Sequence, residues 1–383
     1  MKSNRYVLAV LAFFLVAMHT FSQAPEPNWK RDSTVRINQI QVIGSHNSYH
    51  AGLLPGIAKL MAQKDPRAFA SLDYTHADLA AQLNGGVRQI ELDIFADSKG
   101  GRFAHPLGQR VVAQAGLHTD PEPYTESVMM KPGFKVMHMQ DIDYASTCQP
   151  FVACLQIVRS WSKAHPGHVP IFILVETKQG VPDADHTWTA FEPFTAATLD
   201  ALDAEIRSVF SKGEMITPDE VRGHHRTLDQ AVLKGGWPTL AKARGKVVFL
   251  MDQTNVGPLY LAGHPALRGR VLFTNSTPGQ PDAAFIEKNE EDDATISSLV
   301  RQGYLVRTRA DADTVEARRN DVSRRDQALK SGAQIVSTDY PKSEPSRWTG
   351  YFVGLPGGLP ARCNPVAGSP KCVDSELEPV GKR

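Results

Sequence analysis

A chain of 383 residues is longer than one average domain and long enough for a large core. With 42% hydrophobic and 22% charged residues, it lacks the composition of a disordered protein. A formal net charge of +1 argues against nucleic acid as a partner and against a generally basic membrane-binding surface.

The first residues read as a targeting signal rather than as fold. Lys2 and Arg5 form a positive n-region, and Tyr6 to Met18 is an apolar run of signal-peptide length, short for a spanning helix. Thr20-Phe21-Ser22 or Ser22-Gln23-Ala24 supplies small residues for cleavage, with an uncleaved anchor as the alternative. The expected layout is a signal peptide over 1–24, a single catalytic barrel over 25–345 and an extended tail over 346–383. The protein is then exported, periplasmic or secreted. The cysteines agree. Cys148 lies near Cys154 and Cys363 near Cys372, so the two local disulfides are expected among the three possible pairings. Zinc is the alternative, but neither pair has partner histidines at ligand spacing.

In chain order, Ile37 to Ile43 reads as a buried strand that breaks at Gly44 into a polar run with His46, Asn47 and His50. A helix is expected between Leu53 and Gln82, stopping at Gly85-Gly86. Val87 to Phe95 alternates: Arg88, Ile90, Leu92 and Ile94 form one face, while Glu91 and Asp93 point the other way, into a barrel interior. Two inward acids are costly unless they bind or pair with a cation. Residues 97–133 are a Gly-, Pro- and His-rich insertion of the kind that covers a site. Phe134 to His138 reads as a third strand, followed by a helix from Phe151 to Ala164. Pro170 to Lys178 is a nearly continuous apolar run, as in a doubly buried parallel strand, and ends in Glu176 and Lys178. A helix from Phe194 to Phe210 and a helical turn at Thr217 precede a fifth strand, Lys246 to Asp252. Val271 to Thr274 and Ala284 to Lys288 compete for the sixth. Tyr304 to Arg309 is the seventh, a charged helix runs to Lys330, and Gln334 to Asp339 is the eighth. Eight strands alternating with helices predict a (β/α)8 TIM-type barrel, with the strand ends gathered on one face.

Those ends carry His46, Asn47, Glu91, Asp93, His138, Glu176, Lys178, Arg307, Arg309 and Asp339. Three carboxylates and an amide oxygen suit Ca²⁺ better than zinc or copper. Two histidines suit proton transfer near neutral pH, and Lys and Arg suit a phosphoryl anion.

The stretches Gly44-Ser45-His46-Asn47-Ser48-Tyr49, Glu91-Leu92-Asp93, Val136-Met137-His138 and Leu174-Val175-Glu176 resemble the catalytic region of Ca²⁺-dependent phosphoinositide-specific phospholipase C. The similarity is greatest to its compact bacterial and fungal branch, a PLC-like phosphodiesterase barrel without accessory domains, and covers roughly residues 37–345. The resemblance implies His46 and His138 as catalytic histidines and Asn47, Glu91, Asp93 and Glu176 as Ca²⁺ ligands. It places Lys178 and Arg309 at the phosphate; Arg307, on the same strand face as Arg309, is a further candidate substrate contact. It also implies a phosphatidylinositol-like or inositol-phosphate substrate, cleaved by attack of a ring hydroxyl, with transient membrane-surface contact by a monomer.

Other readings compete. One of Arg307 and Arg309 pairs with Asp339 or Glu287 instead of substrate. His118 stands in for His138. Asp141 and Asp143 cap a loop or support the site. His50 has no partner in this scheme. A glycerophosphodiester phosphodiesterase shares the barrel, but its strand-one histidine is followed by Arg-Gly, where this chain has Asn47-Ser48. A head-group-binding barrel without turnover would lack His46 or His138, and both are present.

Overall fold

The computed structural model describes residues 31–180, 188–290 and 292–378, so the leader expected over 1–24 lies outside the described residues. The strands are β1 (Ile40–Ser45), β2 (Gln89–Phe95), β3 (Lys135–Val136), β4 (Ile171–Thr177), β5 (Val247–Met251), β6 (Phe285–Glu287), β7 (Leu305–Arg309), β8 (Ile335–Thr338) and β9 (Ala361–Cys363). Seven of these are parallel neighbours in the order β5-β4-β2-β1-β8-β7-β6, a nearly closed barrel. The seam between β5 and β6 is bridged by single pairs, Leu250 with Phe273 and Asn275 with Phe285. Both runs that compete for the sixth stave are therefore used.

The staves form where apolar residues are continuous. Ile171 to Val175 are buried on both faces of the sheet, and a fully buried side chain of this size contributes about 1.5–3 kcal/mol. The helices outside turn one apolar stripe inward. Phe151–Ala164 buries Phe151, Cys154, Leu155, Val158 and Trp161. Their ends are set by caps: Thr195 accepts from the Thr198 amide, Asp292 accepts from Thr295, and Gly303 closes its helix at φ 104°. No helix among the described residues is long and apolar enough to cross a membrane.

The expected third stave is corrected. The run from Phe134 to His138 contributes only the two-residue β3, antiparallel to the C-terminal end of β2 through Ile94–Val136 and Phe95–Lys135. The chain then folds back in a tight hairpin, with the Met139 and Asp143 amides each donating to the other's carbonyl. His138 enters the site from this hairpin, and β4 pairs directly with β2. The insertion packs around a small apolar cluster of its own, including Phe95, Phe103, Val112, Met129, Met137 and Tyr144.

The segment expected as an extended tail is packed as well. β9 runs antiparallel to the start of β1, Ile40 against Cys363 and Val42 against Ala361. Tyr351, Val353 and Leu355 are buried. Glu378 pairs with Arg88, whose guanidinium lies 4.8 Å from the Trp161 ring centroid. Both local disulfides are formed, Cys148–Cys154 and Cys363–Cys372.

Candidate active site

Because β4 lies beside β2, Asp93 and Glu176 are partners in register across the ladder. Glu91 precedes Asp93 by one pleat and shares its face. One oxygen from each of Glu91, Asp93 and Glu176 falls within 4.8 Å of the others. Each carboxylate also touches a cation: Lys178 Nζ is 3.0 Å from Asp93 Oδ2 and 3.0 Å from Glu176 Oε1, and Arg307 Nη2 donates to Glu91 Oε2 at 2.7 Å. Asp93 Oδ1 is buried without a hydrogen-bond partner among the described residues. Burial, with Asp93 nearby, lifts Glu176 to about 7. Burial lifts Glu91 to about 8 against the pull of Arg307. Three crowded carboxylates with an unpartnered oxygen call for a further cation.

Asn47 closes the same end of the barrel. It sits at φ 46°, a left-handed conformation that Asn tolerates, in the turn that leaves β1. That turn is tied to β2: the Ser48 amide donates to the Glu91 carbonyl at 3.1 Å, and Ser48 Oγ accepts from the Glu91 amide at 2.8 Å. The Asn47 amide group donates to the Tyr74 hydroxyl at 2.9 Å, while Oδ1 receives only a long 3.5 Å bond from Tyr49. An acceptor position on Oδ1 is left for a ligand.

His46 Nδ1 donates to Asp339 Oδ1 at 2.7 Å, and Arg309 Nη1 reaches His46 Nε2 at 3.3 Å. Burial and Arg309 lower the imidazole to about 3, although Asp339 pulls the other way. Asp339 is held well below the usual carboxylate range, His46 and Arg309 outweighing burial. The His46 carbonyl accepts from His76 Nε2 at 2.9 Å. Behind Asp339, Asp311 accepts from its backbone amide at 2.9 Å and from Thr338.

His138 Nδ1 lies 2.8 Å from Asp143 Oδ2, and His50 Nε2 lies 2.9 Å from both oxygens of the same carboxylate. Burial disfavours protonated His138, but Asp143 outweighs it and raises the imidazole above its ordinary value. Asp143 is depressed in turn, the two imidazoles overcoming its burial. The two site histidines therefore differ: His46 is held neutral and His138 is inclined to carry a proton.

The sequence profile described as "Phosphoinositide phospholipase C, Ca²⁺-dependent" matches residues 35–365. The chain belongs to that family. Phosphoinositide phospholipase activity, which is phosphodiester cleavage, and Ca²⁺ dependence come with the membership. Comparison with curated proteins returns no match. Among solved structures, the chain is similar to a calcium-dependent phosphoinositol-specific phospholipase C from the Gram-negative bacterium Pseudomonas sp. At 17% identity its apo form superposes with a TM-score of 0.52, covering 87% of this chain and 96% of that one. The myo-inositol complex of the Pseudomonas protein gives 0.51 at 16% identity, with 87% and 97% covered. At these identities the likeness shows a shared barrel fold.

For a phospholipase of this family the seat fits its metal: the donors are all oxygen, as Ca²⁺ prefers, and one of them is buried without a partner. Arg307, expected as a substrate contact, is buried beneath the seat and bonded to Glu91, Glu287, Asn289 and Ser337. Lys178, expected at phosphate, lies on the carboxylates of Asp93 and Glu176. His105 and His118 are exposed on the insertion, away from these contacts. Sequence reasoning missed the pairing of His46 with Asp339 and of both His50 and His138 with Asp143. The local signal was present: Asp143 follows His138 by five residues in a stretch with no apolar periodicity.

Proposed function

We propose that this enzyme cleaves the glycerol–phosphate bond of phosphatidylinositol-like lipids by attack of the neighbouring ring hydroxyl on phosphorus. The observation that carries this reading is the placement of the two histidines, His46 on Asp339 and Arg309 and His138 on Asp143, on one rim with three carboxylates. His46 is suited to accept the ring-hydroxyl proton through Nε2. His138 is suited to deliver a proton to the departing glycerol oxygen. Arg309, beside His46, is suited to accompany the phosphoryl charge in the transition state, and Lys178 lies close enough to share it. Glu91, Asp93, Glu176 and Asn47 would hold Ca²⁺, which when bound supplies a Lewis acid for the hydroxyl and phosphoryl oxygens. Holding hydroxyl and phosphodiester in line makes the attack intramolecular.

Met139, which follows His138 in the chain, and Trp188 are exposed, and their chain neighbours Gln140 and Thr189 are hydrogen-bonded to each other; the two apolar side chains support transient contact with a lipid surface. Export as a monomer completes the reading. The leader-like residues and the two disulfides support the export.

The test is incubation with phosphatidylinositol, glycerophosphoinositol and glycerophosphocholine, each with Ca²⁺ or with chelator. Hydrolysis of phosphatidylinositol, abolished by chelator and by His46→Ala or His138→Ala, is expected. Turnover of glycerophosphocholine alone would refute it in favour of a glycerophosphodiesterase.

A further inference from the structure

We propose that His50 is a positioning residue: through Asp143 it holds His138 with Nδ1 on the carboxylate and Nε2 left for the substrate. The proposal rests on His138 acting as the acid.

The geometry constrains the protons. Asp143 is fully buried, so bulk water does not reach it. It accepts from His50 Nε2 at 2.9 Å and from His138 Nδ1 at 2.8 Å. An ionised carboxylate can only accept, so both nitrogens facing it carry hydrogen. That fixes His138 with hydrogen on Nδ1 and directs Nε2 away from Asp143. His50 Nδ1 is buried with no hydrogen-bond partner among the described residues. His50 is therefore placed as a donor to Asp143 and not as a reacting group.

His50 is itself held from three directions. Its amide donates to the Asn47 carbonyl, its own carbonyl accepts from His76, and its ring centroid lies 4.5 Å from that of Tyr74. The turn that carries His46 thus reaches the hairpin that carries His138 through one carboxylate. The groups facing His138 are Asp143 from its own hairpin, His50 from the β1 turn, Asp93 from β2 and Lys178 from the end of β4. Of these, only Asp143 is within hydrogen-bond distance of the ring. The orientation of that carboxylate decides which His138 nitrogen is free, and among the described residues its only side-chain partner besides His50 is His138 itself.

The experiment compares wild type, His50→Leu and His50→Gln. The glutamine variant is the conservative case, since its amide nitrogen reaches about where Nε2 of the imidazole lies. Readouts are kcat and KM on phosphatidylinositol with Ca²⁺, thermal melting, and the tautomer of His138 from ¹⁵N-histidine NMR. In His50→Leu, kcat is expected to fall on the order of tenfold with KM close to wild type. At a pH high enough to leave His138 neutral, its nitrogens should then report mixed tautomers. His50→Gln should recover most of kcat and the single tautomer. Wild-type kcat in His50→Leu, or equal losses in both variants with His138 still protonated at Nδ1, would overturn the proposal. If His50→Leu does not fold, the wild-type spectrum decides: neutral His138 carrying its proton on Nε2, or His50 on Nδ1, is equally fatal. An active His138→Ala would remove the underlying reading. An inactive His138→Ala beside a fully active His50→Leu would remove this proposal alone.

Discussion

Arg307 and Arg309 lie two residues apart on one face of β7, and packing gives them different work. Arg307 has a side chain 2% exposed and neutralises Glu91 and Glu287 from below. Arg307→Leu would leave both carboxylates buried and uncompensated, so a loss of about 3–5 kcal/mol is expected in urea unfolding. Arg309→Leu should cost less stability, since its contact with Asp339 is a looser 3.4 Å, and should instead lower kcat/KM by about 10²-fold. Equal destabilisation by the two would contradict the division. The pair of Asp143 and His138 carries a pH signature. Asp143 titrates below its unfolded value, so its contribution is present above about pH 4 and is lost as pH falls through the folded value. His138 titrates above its unfolded value, so its contribution is complete below about pH 6.5 and is lost as pH rises through the folded value. The gap in melting temperature between wild type and Asp143→Asn should therefore be widest between about pH 4 and 6.5. A gap that widens from pH 6 to 9 would run against the assignment. Glu91, Asp93 and Glu176 are legible in the sequence because an acid inside an apolar strand has no cheap structural explanation. The part played by His50 is not legible, and the sequence leaves open whether Asp143 supports the site and which arginine takes the carboxylates. Each depends on which element packs opposite, and alternation along one strand is silent about that.

At the scale of elements, most of the barrel can be read from periodicity, because long apolar or alternating runs have few other folds open to them. The helix expected over Phe151 to Ala164 is found with those bounds, and the opening, fourth, fifth, seventh and eighth strands are found within a few residues. The misreading is one of the short candidates. Phe134 to His138 has the composition of a strand, but Gly133 at φ 118° before it and the Met139–Asp143 hairpin after it leave room for two antiparallel pairs. This error matters for the site. A stave placed between β2 and β4 would have set Asp93 and Glu176 about 10 Å apart, two strand spacings, too far to share an ion. β9 is the other element that periodicity does not reveal, being three residues long and held by a clasp. The Cys363–Cys372 disulfide closes a loop with a separation of 9 residues. Replacing both cysteines with serine is expected to cost about 2–3 kcal/mol. An unchanged urea midpoint would show that the β1 pairing alone secures this segment.

At the scale of the whole molecule, the site is assembled from strand ends and loops that lie far apart in the chain. His46 meets Asp339, Glu91 meets Arg307, and Asn47 meets Tyr74. The core is continuous beneath them, and the insertion adds its own apolar cluster above. Fold class was legible because seven parallel staves repeat one pattern, whereas the closure between β5 and β6 rests on single bridges that have no pattern to repeat. The antiparallel strand laid along the start of β1 also orders events in time. Val42 is flanked by Ile335 on one side and Ala361 on the other. The first stave of the barrel therefore cannot take its final place until almost the last of these segments has been synthesised. Contacts of such long sequence separation form slowly, so closure at the first stave is a late step. A chain slow to close its barrel suits the export proposed above.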